Sequence, residues 1–295
     1  MLPTNPAASA MASAALGAAV GAAAMGVVMS RHRRGWVPPS LPKPDPSWKQ
    51  GSRAGAIAAP FPPVEHEEMV NLDPSQLPPG KSFYPFLISA VVPRPIAFVS
   101  TVSPDGKVFN VAPYSFLGLM CHDPPTLVFC TTTSGTRAGG PKDTLINART
   151  NGECVVNMIS ECFVESANEC CGEYGPEVDE FVVSGLSRTP TALPKGTPAV
   201  KEASVSFECK VAECRELHKR DGAVGGTMVL CEITRINAHP SVLRYTPSGS
   251  PYVDLAALRP ISRLGANDYG RTPLEGVFSI PRPDVNGYDR EKKTA

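Results

Sequence analysis

The stretch Arg94-Pro-Ile-Ala-Phe-Val-Ser100-Thr101-Val-Ser-Pro-Asp-Gly-Lys-Val-Phe-Asn110-Val-Ala-Pro-Tyr-Ser115-Phe116 decides the fold. Ile96 to Val99 is a short apolar run bounded by Pro95, and its β-branched and aromatic content reads as a strand. Ser103-Pro-Asp-Gly-Lys107 supplies a hairpin turn, because Pro104 fixes φ and Gly106 tolerates a positive one. Val108 to Ala112 then returns as the partner strand, so the unit is a local antiparallel pair.

The same pattern continues on the C-terminal side. Pro125-Thr-Leu-Val-Phe-Cys-Thr131 is a third strand, and Lys142 to Asn151 reads as a helix that Asn151-Gly152 stops. Glu153 to Ile159 is another strand, followed by a helix over Glu161–Cys171. Two long strands are predicted over Ala203–Arg215 and Gly226–His239. In the first, Val205, Phe207, Cys209 and Val211 alternate with Ser206, Glu208 and Lys210, which predicts one dry face and one wet face. Many antiparallel strands with few helices give a mainly β fold, closed or nearly closed into a barrel.

This β-rich region occupies residues 84–278. Ahead of it, residues 36–83 read as a Pro-rich linker, since thirteen of the 32 prolines lie within the first 83 residues. Residues 279–295 read as a polar tail. Lys+Arg and Asp+Glu balance at 28 each, which gives no electrostatic case for nucleic acid. The balance is uneven along the chain: the first acidic residue is Asp45, whereas Arg31, Arg33, Arg34 and Lys43 come earlier. Residues 1–35 form an Ala/Gly-rich leader whose uncharged core runs from Ala7 to Met29. It fits a removable transit peptide of an organellar protein, or a membrane anchor, and a secretory signal is disfavoured by the lack of a basic start. Membrane contact is therefore expected only through this leader. Nine cysteines with no Cys-x-x-Cys spacing read as reduced thiols used as small buried hydrophobes in an intracellular protein, cytoplasmic or organellar, and predict no metal site.

Familiar catalytic signatures are absent: the chain has no Gly-x-Ser-x-Gly and no His-Glu-x-x-His. Gly135-Thr-Arg-Ala-Gly-Gly140 resembles a phosphate-binding loop only in part, because Pro141 separates Gly140 from Lys142. What remains is a set of polar residues at strand ends and turns: Ser100, Thr101, Asn110, Ser115, Cys130, Thr131, and Lys142-Asp143-Thr144 at a helix start. A planar ring needs an apolar slot with a few edge donors, and a phosphate needs a cation beside free backbone N–H groups. From spacing alone, however, the simpler reading is that Asn110, Ser115 and Thr144 cap turns and a helix.

A resemblance shifts that balance. Arg94-Pro-Ile-Ala-Phe-Val-Ser-Thr101, Asn110-Val-Ala-Pro-Tyr-Ser-Phe116, Asp123-Pro-Pro-Thr-Leu-Val-Phe129, Lys142-Asp-Thr-Leu-Ile-Asn147 and Glu153-Cys-Val-Val-Asn-Met158 look like the flavin reductase-like family, in order and spacing. Arg259-Pro-Ile-Ser-Arg-Leu-Gly-Ala-Asn-Asp-Tyr269 is similar to its closing motif, with Ala266 where that motif commonly carries a second Gly. The resemblance implies an FMN-binding split β-barrel that works as a homodimer. It also implies that Ser100 and Thr101 line the ring edge, and that Asn110, Ala112, Ser115 and Phe116 hold the ring or ribityl chain. Cys130 and Thr131 would border the site, Lys142, Asp143 and Thr144 would sit at the phosphate, and Arg263 and Tyr269 would close over the cofactor.

On that footing the chain is expected to be an FMN-dependent oxidoreductase, fed by NADH or NADPH and passing electrons to a small-molecule acceptor. No catalytic side chain is assigned, because the hydride chemistry belongs to the cofactor. The alternatives are a flavoprotein with another electron donor or acceptor, and a flavin-binding or assembly module without turnover.

Overall fold

The computed structural model describes residues 43–49, 70–78, 80–135 and 137–283. The leader and most of the linker lie outside these residues. Tyr84–Thr272 belong to one compact unit, and the described residues before and after it group separately.

That unit opens with helix α1 (Tyr84–Ala90), followed by strands β1 (Ala97–Val102) and β2 (Phe109–Tyr114), paired antiparallel as the opening stretch predicts. Gly106 takes φ +77° at the turn between them. Strands β3 (Leu117–His122) and β4 (Pro125–Thr132) form a second hairpin, helix α2 (Asp143–Asn151) follows, and β5 (Glu153–Met158) returns beside β1. Short helices α3 (Val164–Glu169) and α4 (Glu180–Ser184) precede a small pair, β6 (Arg188–Thr189) and β7 (Ala199–Val200). The long hairpin is β8 (Val205–His218) with β9 (Val224–Ala238). The chain ends in two further hairpins, β10 (Leu243–Tyr245) with β11 (Pro251–Val253), and β12 (Ile261–Arg263) with β13 (Tyr269–Arg271), separated by helix α5 (Leu255–Leu258).

Seven strands form one antiparallel sheet in the order β2-β1-β5-β8-β9-β4-β3. Its two edge strands, β2 and β3, follow each other in the chain across only Ser115 and Phe116. A flat sheet would place those edges six strand spacings apart, near 28 Å at ~4.7 Å each. The three Cα–Cα steps from Tyr114 to Leu117 reach only about 11 Å, so the sheet must curl until its edges meet. The result is a split β-barrel.

The interior is filled by Val99, Tyr114, Phe129, Val156 and Val229, with Leu145 and Ala148 of α2 packed among them. The outer face of β1 is buried too: Ile96, Phe98 and Val111 pack on Phe163, Phe181 and Ile261. Burial on both faces explains why β1 reads as a continuous apolar run rather than an alternation. Cys154, Cys209 and Cys231 lie buried in the interior, with the Cys154 and Cys231 sulfurs 3.8 Å apart. Cys121, Cys162 and Cys171 are exposed, so the expectation of buried thiols holds for only part of the set.

The wet face predicted for β8 is wet only at Lys210. Ser206 and Glu208 are buried, because the segment around β6 and β7 covers that face. Glu208 accepts from the Ala192 N–H and the Asn237 amide, and Glu153 of β5 accepts from the Lys195 N–H. These carboxylates satisfy backbone donors of the covering segment, a role that alternation alone does not reveal. The predicted helix over Glu161–Cys171 is shorter, a 3-10 turn at Glu161–Phe163 running into α3. Among the described residues, no helix is long and apolar enough to cross a membrane.

Candidate functional site

Where β2 meets the start of α2, four polar side chains join in one buried network. Thr101 on β1 donates to Asn110 Oδ1 (3.1 Å), and Thr144 on α2 donates to the same oxygen (2.6 Å). Asn147, one turn further along α2, donates to Thr101 Oγ1 at 3.0 Å. Thr101 and Asn110 face each other in the β1–β2 register, and Thr144 and Asn147 are spaced three apart on α2, so both elements present their polar pair to one point. None of these four caps a turn or a helix end. They tie the barrel wall to α2, which replaces the capping reading of Asn110 and Thr144.

The remaining amide of Asn110 donates to Glu180 Oε1 on α4 at 2.9 Å. Glu180 is only 6% exposed, and its other oxygen has no hydrogen-bond partner among the described residues. Burial pushes its carboxyl up to about 7, and the nearby Asp143 charge adds to the rise, against the Asn110 hydrogen bond that lowers it. The Tyr114 hydroxyl lies beside Thr144 but completes no hydrogen bond, and burial raises its pKa.

Above this floor lies a groove lined by Ala112, Pro113, Tyr114, Lys142, Asp143, Thr144 and Glu173. Its far end is built by the loop between β4 and α2. There Lys142 Nζ meets Glu173 Oε1 at 2.7 Å, while the Ser134 hydroxyl (2.8 Å) and the Gly135 N–H (3.1 Å) both donate to Glu173 Oε2. Arg137 is paired with Asp143. Lys142 stands at the N-cap position of α2 and supplies no side-chain cap, although its carbonyl accepts from the Leu145 and Ile146 N–H groups.

The structure brings Lys142, Asp143, Thr144, Asn110 and Ala112 together on this groove, with Thr101 directly beneath. Arg263 and Tyr269 lie on a neighbouring cleft with Asn168. The Arg263 guanidinium sits 4.5 Å from the Tyr269 ring centre, and the Tyr269 hydroxyl donates to Asn168 at 2.8 Å. Cys171 joins the two regions: its thiol is pushed up by burial and held back by Arg263 and Lys142. Ala266 adopts φ +46°, the left-handed conformation that favours Gly.

Other expected residues sit elsewhere. The Ser100 hydroxyl lies on the opposite face of β1 from Thr101 and donates to the Pro198 carbonyl at 2.6 Å, because successive strand residues point to opposite faces. Its hydroxyl is therefore unavailable to the groove. Ser115 accepts from Arg94 (3.3 Å), whose guanidinium also donates to the Val91 and Leu264 carbonyls and so ties α1 to the turn before β13. Phe116 is 42% exposed at the split between β2 and β3. Thr131 is buried with an unpartnered hydroxyl and lines a second cleft with Gly226 and Thr227. Cys130 is half-buried next to Gly226, its thiol raised by burial. Sequence reasoning missed Ser134, Asn147, Glu173 and Glu180. Of these only Asn147 carried a signal, the three-residue spacing from Thr144.

A curled antiparallel sheet with one helix packed into its interior, and a polar groove beginning at that helix's N-terminus, defines a ligand-binding split barrel. The chain belongs to the flavin reductase-like family, whose domain model (Flavin reductase like domain) matches residues 89–253. An uncharacterized protein of Halalkalibacterium halodurans is 33% identical over 218 residues, covering 74% of this chain and 98% of its own. The crystal structure of nitrilotriacetate monooxygenase component B from Bacillus cereus is similar with a TM-score of 0.63 and 27% identity, over 70% of this chain and 98% of that one. Pseudomonas fluorescens 2-nitrobenzoate 2-nitroreductase gives 0.59 and 26%, over 74% and 98%.

Proposed function

We propose that the chain is an FMN-dependent oxidoreductase that takes hydride from NADH or NADPH, works as a homodimer and delivers electrons to a small-molecule acceptor. The observation that carries this reading is the anion cradle of Lys142, Ser134 and the Gly135 N–H at the start of α2, beside an apolar groove wall of Ala112 and Pro113. The donor set suits a phosphate monoester: one cation, a hydroxyl, a backbone N–H and a helix N-terminus that favours negative charge. The unpartnered Tyr114 hydroxyl and Glu180 oxygen suit the ribityl hydroxyls further in. When bound, a flavin supplies the two-electron chemistry, accepting hydride at its ring N5. The protein then needs no general base. Lys142 and Ser134 fix the phosphate, the Thr101–Asn110–Thr144 network holds the floor rigid, and Arg263 with Tyr269 lies at the neighbouring cleft as a cover.

The homodimer reading is supported by β3, an edge strand that leaves Leu119 73% exposed together with Met120 and Phe116. The second reading is a flavin-binding module without turnover. An absorbance spectrum of the purified chain loaded with FMN, taken before and after NADH or NADPH under anaerobic conditions, separates the two. Flavin bands that bleach support the oxidoreductase; bands that persist with both nicotinamides but bleach with dithionite support the module. Failure to take up FMN on reconstitution would refute both.

A further inference from the structure

We propose that Glu173 is the resident anion of the phosphate cradle, a carboxylate that an incoming phosphate must displace, and that it thereby sets the chain's preference between phosphorylated and unphosphorylated flavins. The proposal rests on the flavin reading above and deepens it.

Three donors from one loop converge on this single side chain. Lys142 Nζ takes one carboxylate oxygen at 2.7 Å, and the Ser134 hydroxyl and Gly135 N–H take the other at 2.8 and 3.1 Å. Glu173 itself comes from a different segment, beyond α3, and lines the same groove. A cation, a hydroxyl and a backbone N–H gathered around two anionic oxygens are the surroundings that a phosphate requires. The independent sign of a ligand site is the floor of the same groove. Glu180 Oε2 and the Tyr114 hydroxyl are buried there without hydrogen-bond partners among the described residues, an arrangement that native interiors rarely leave uncompensated.

Charge makes the two anions mutually exclusive. Among the described groove residues, Lys142 shares the groove with the acids Asp143, Glu173 and Glu180, of which Glu173 is its ion-pair partner, and Arg137 is already paired with Asp143. A phosphate dianion beside a retained Glu173 would put three negative charges on one lysine. The Glu173 side chain is 42% exposed, so it can swing into water when the phosphate arrives. A flavin without phosphate leaves the Lys142–Glu173 pair intact and pays nothing for it.

The test is the dissociation constant of the full chain for FMN and for riboflavin, read from quenching of flavin fluorescence, in wild type, Glu173→Gln and Glu173→Ala. Removing the competing charge should tighten FMN at least about threefold, the scale of a partly exposed ion pair, and leave riboflavin within a factor of about two. Glu173→Ala removes every acceptor and should move FMN in the same direction, so a folding defect in one variant does not decide the matter. If riboflavin and FMN both bind but FMN affinity is unchanged or weaker in the variants, Glu173 supports the cradle rather than competing for it, and the proposal fails alone. Equal tightening of both flavins also overturns it, because the effect would not then depend on the phosphate. If wild type and variants bind neither flavin, the flavin reading fails and carries the proposal with it.

Discussion

Glu180 offers a measurement in which the site's electrostatics appear as stability. Its carboxyl is raised from 4.5 to about 7, first by burial and then by the neighbouring Asp143 charge, while Asn110 and backbone N–H groups pull it back down. Between those two values the folded chain holds a proton that the unfolded chain has released. Stability is therefore fully present below pH 4.5 and falls as pH rises toward 7, the reverse of a salt-bridged carboxylate. At about 1.4 kcal/mol for each unit of pKa difference, the loss across that window is at most about 3 kcal/mol, and water reaching the groove reduces it. Glu180→Gln keeps the size and the acceptor for Asn110 but cannot ionise. Urea denaturation from pH 5 to pH 8 should show wild type losing about 1–3 kcal/mol relative to the variant. Extended to lower pH, the two curves should converge below about pH 4.5, where Glu180 is neutral in the unfolded chain as well as in the folded one. If wild type instead gains on Glu180→Gln as pH rises, Glu180 is ionised and paired in the fold, and the account of a protonated floor is wrong.

Other consequences are more local. Lys142→Ala should weaken FMN roughly 10- to 100-fold, since a charged hydrogen bond is worth about 1.5–3 kcal/mol, and leave riboflavin nearly unaffected; equal loss for both flavins in a fluorescence titration would place Lys142 away from the phosphate. Ala266→Gly should stabilise the chain by roughly 0.5–1 kcal/mol, the left-handed penalty of an L-residue less the entropy of Gly, and a thermal melt showing a lower midpoint would refute the strain at φ +46°. Leu119→Lys on β3 should convert a dimer to a monomer in sedimentation velocity; a wild-type chain that already sediments as a monomer removes the homodimer.

How much of this was legible beforehand depends on whether the signal was local. The opening hairpin was readable because its information lies within one stretch: an apolar run, a Pro-Asp-Gly turn and a returning strand, all reproduced in β1 and β2. The stop of α2 at Gly152 was readable for the same reason, as Gly152 takes φ +71° there. β3 was invisible because Leu117–His122 is an exposed edge strand that neither alternates nor buries its apolar residues. Ser100 and Thr101 could not be told apart by type, and only the pleat decides which one meets Asn110 and which meets the Pro198 carbonyl. Glu153, Glu180 and Glu208 defied the usual rule that carboxylates face water. Each is buried because a segment distant in the chain brings a donor to it, an amide from Asn110 or a backbone N–H from Ala192 or Lys195. Glu173 keeps its side chain 42% exposed, yet its partners too lie 31 to 39 positions away. Glu173 and Glu180, which line this groove, therefore both depend on partners from distant segments. A substitution in the β4–α2 loop should change the behaviour of Glu173 more than one beside it in sequence.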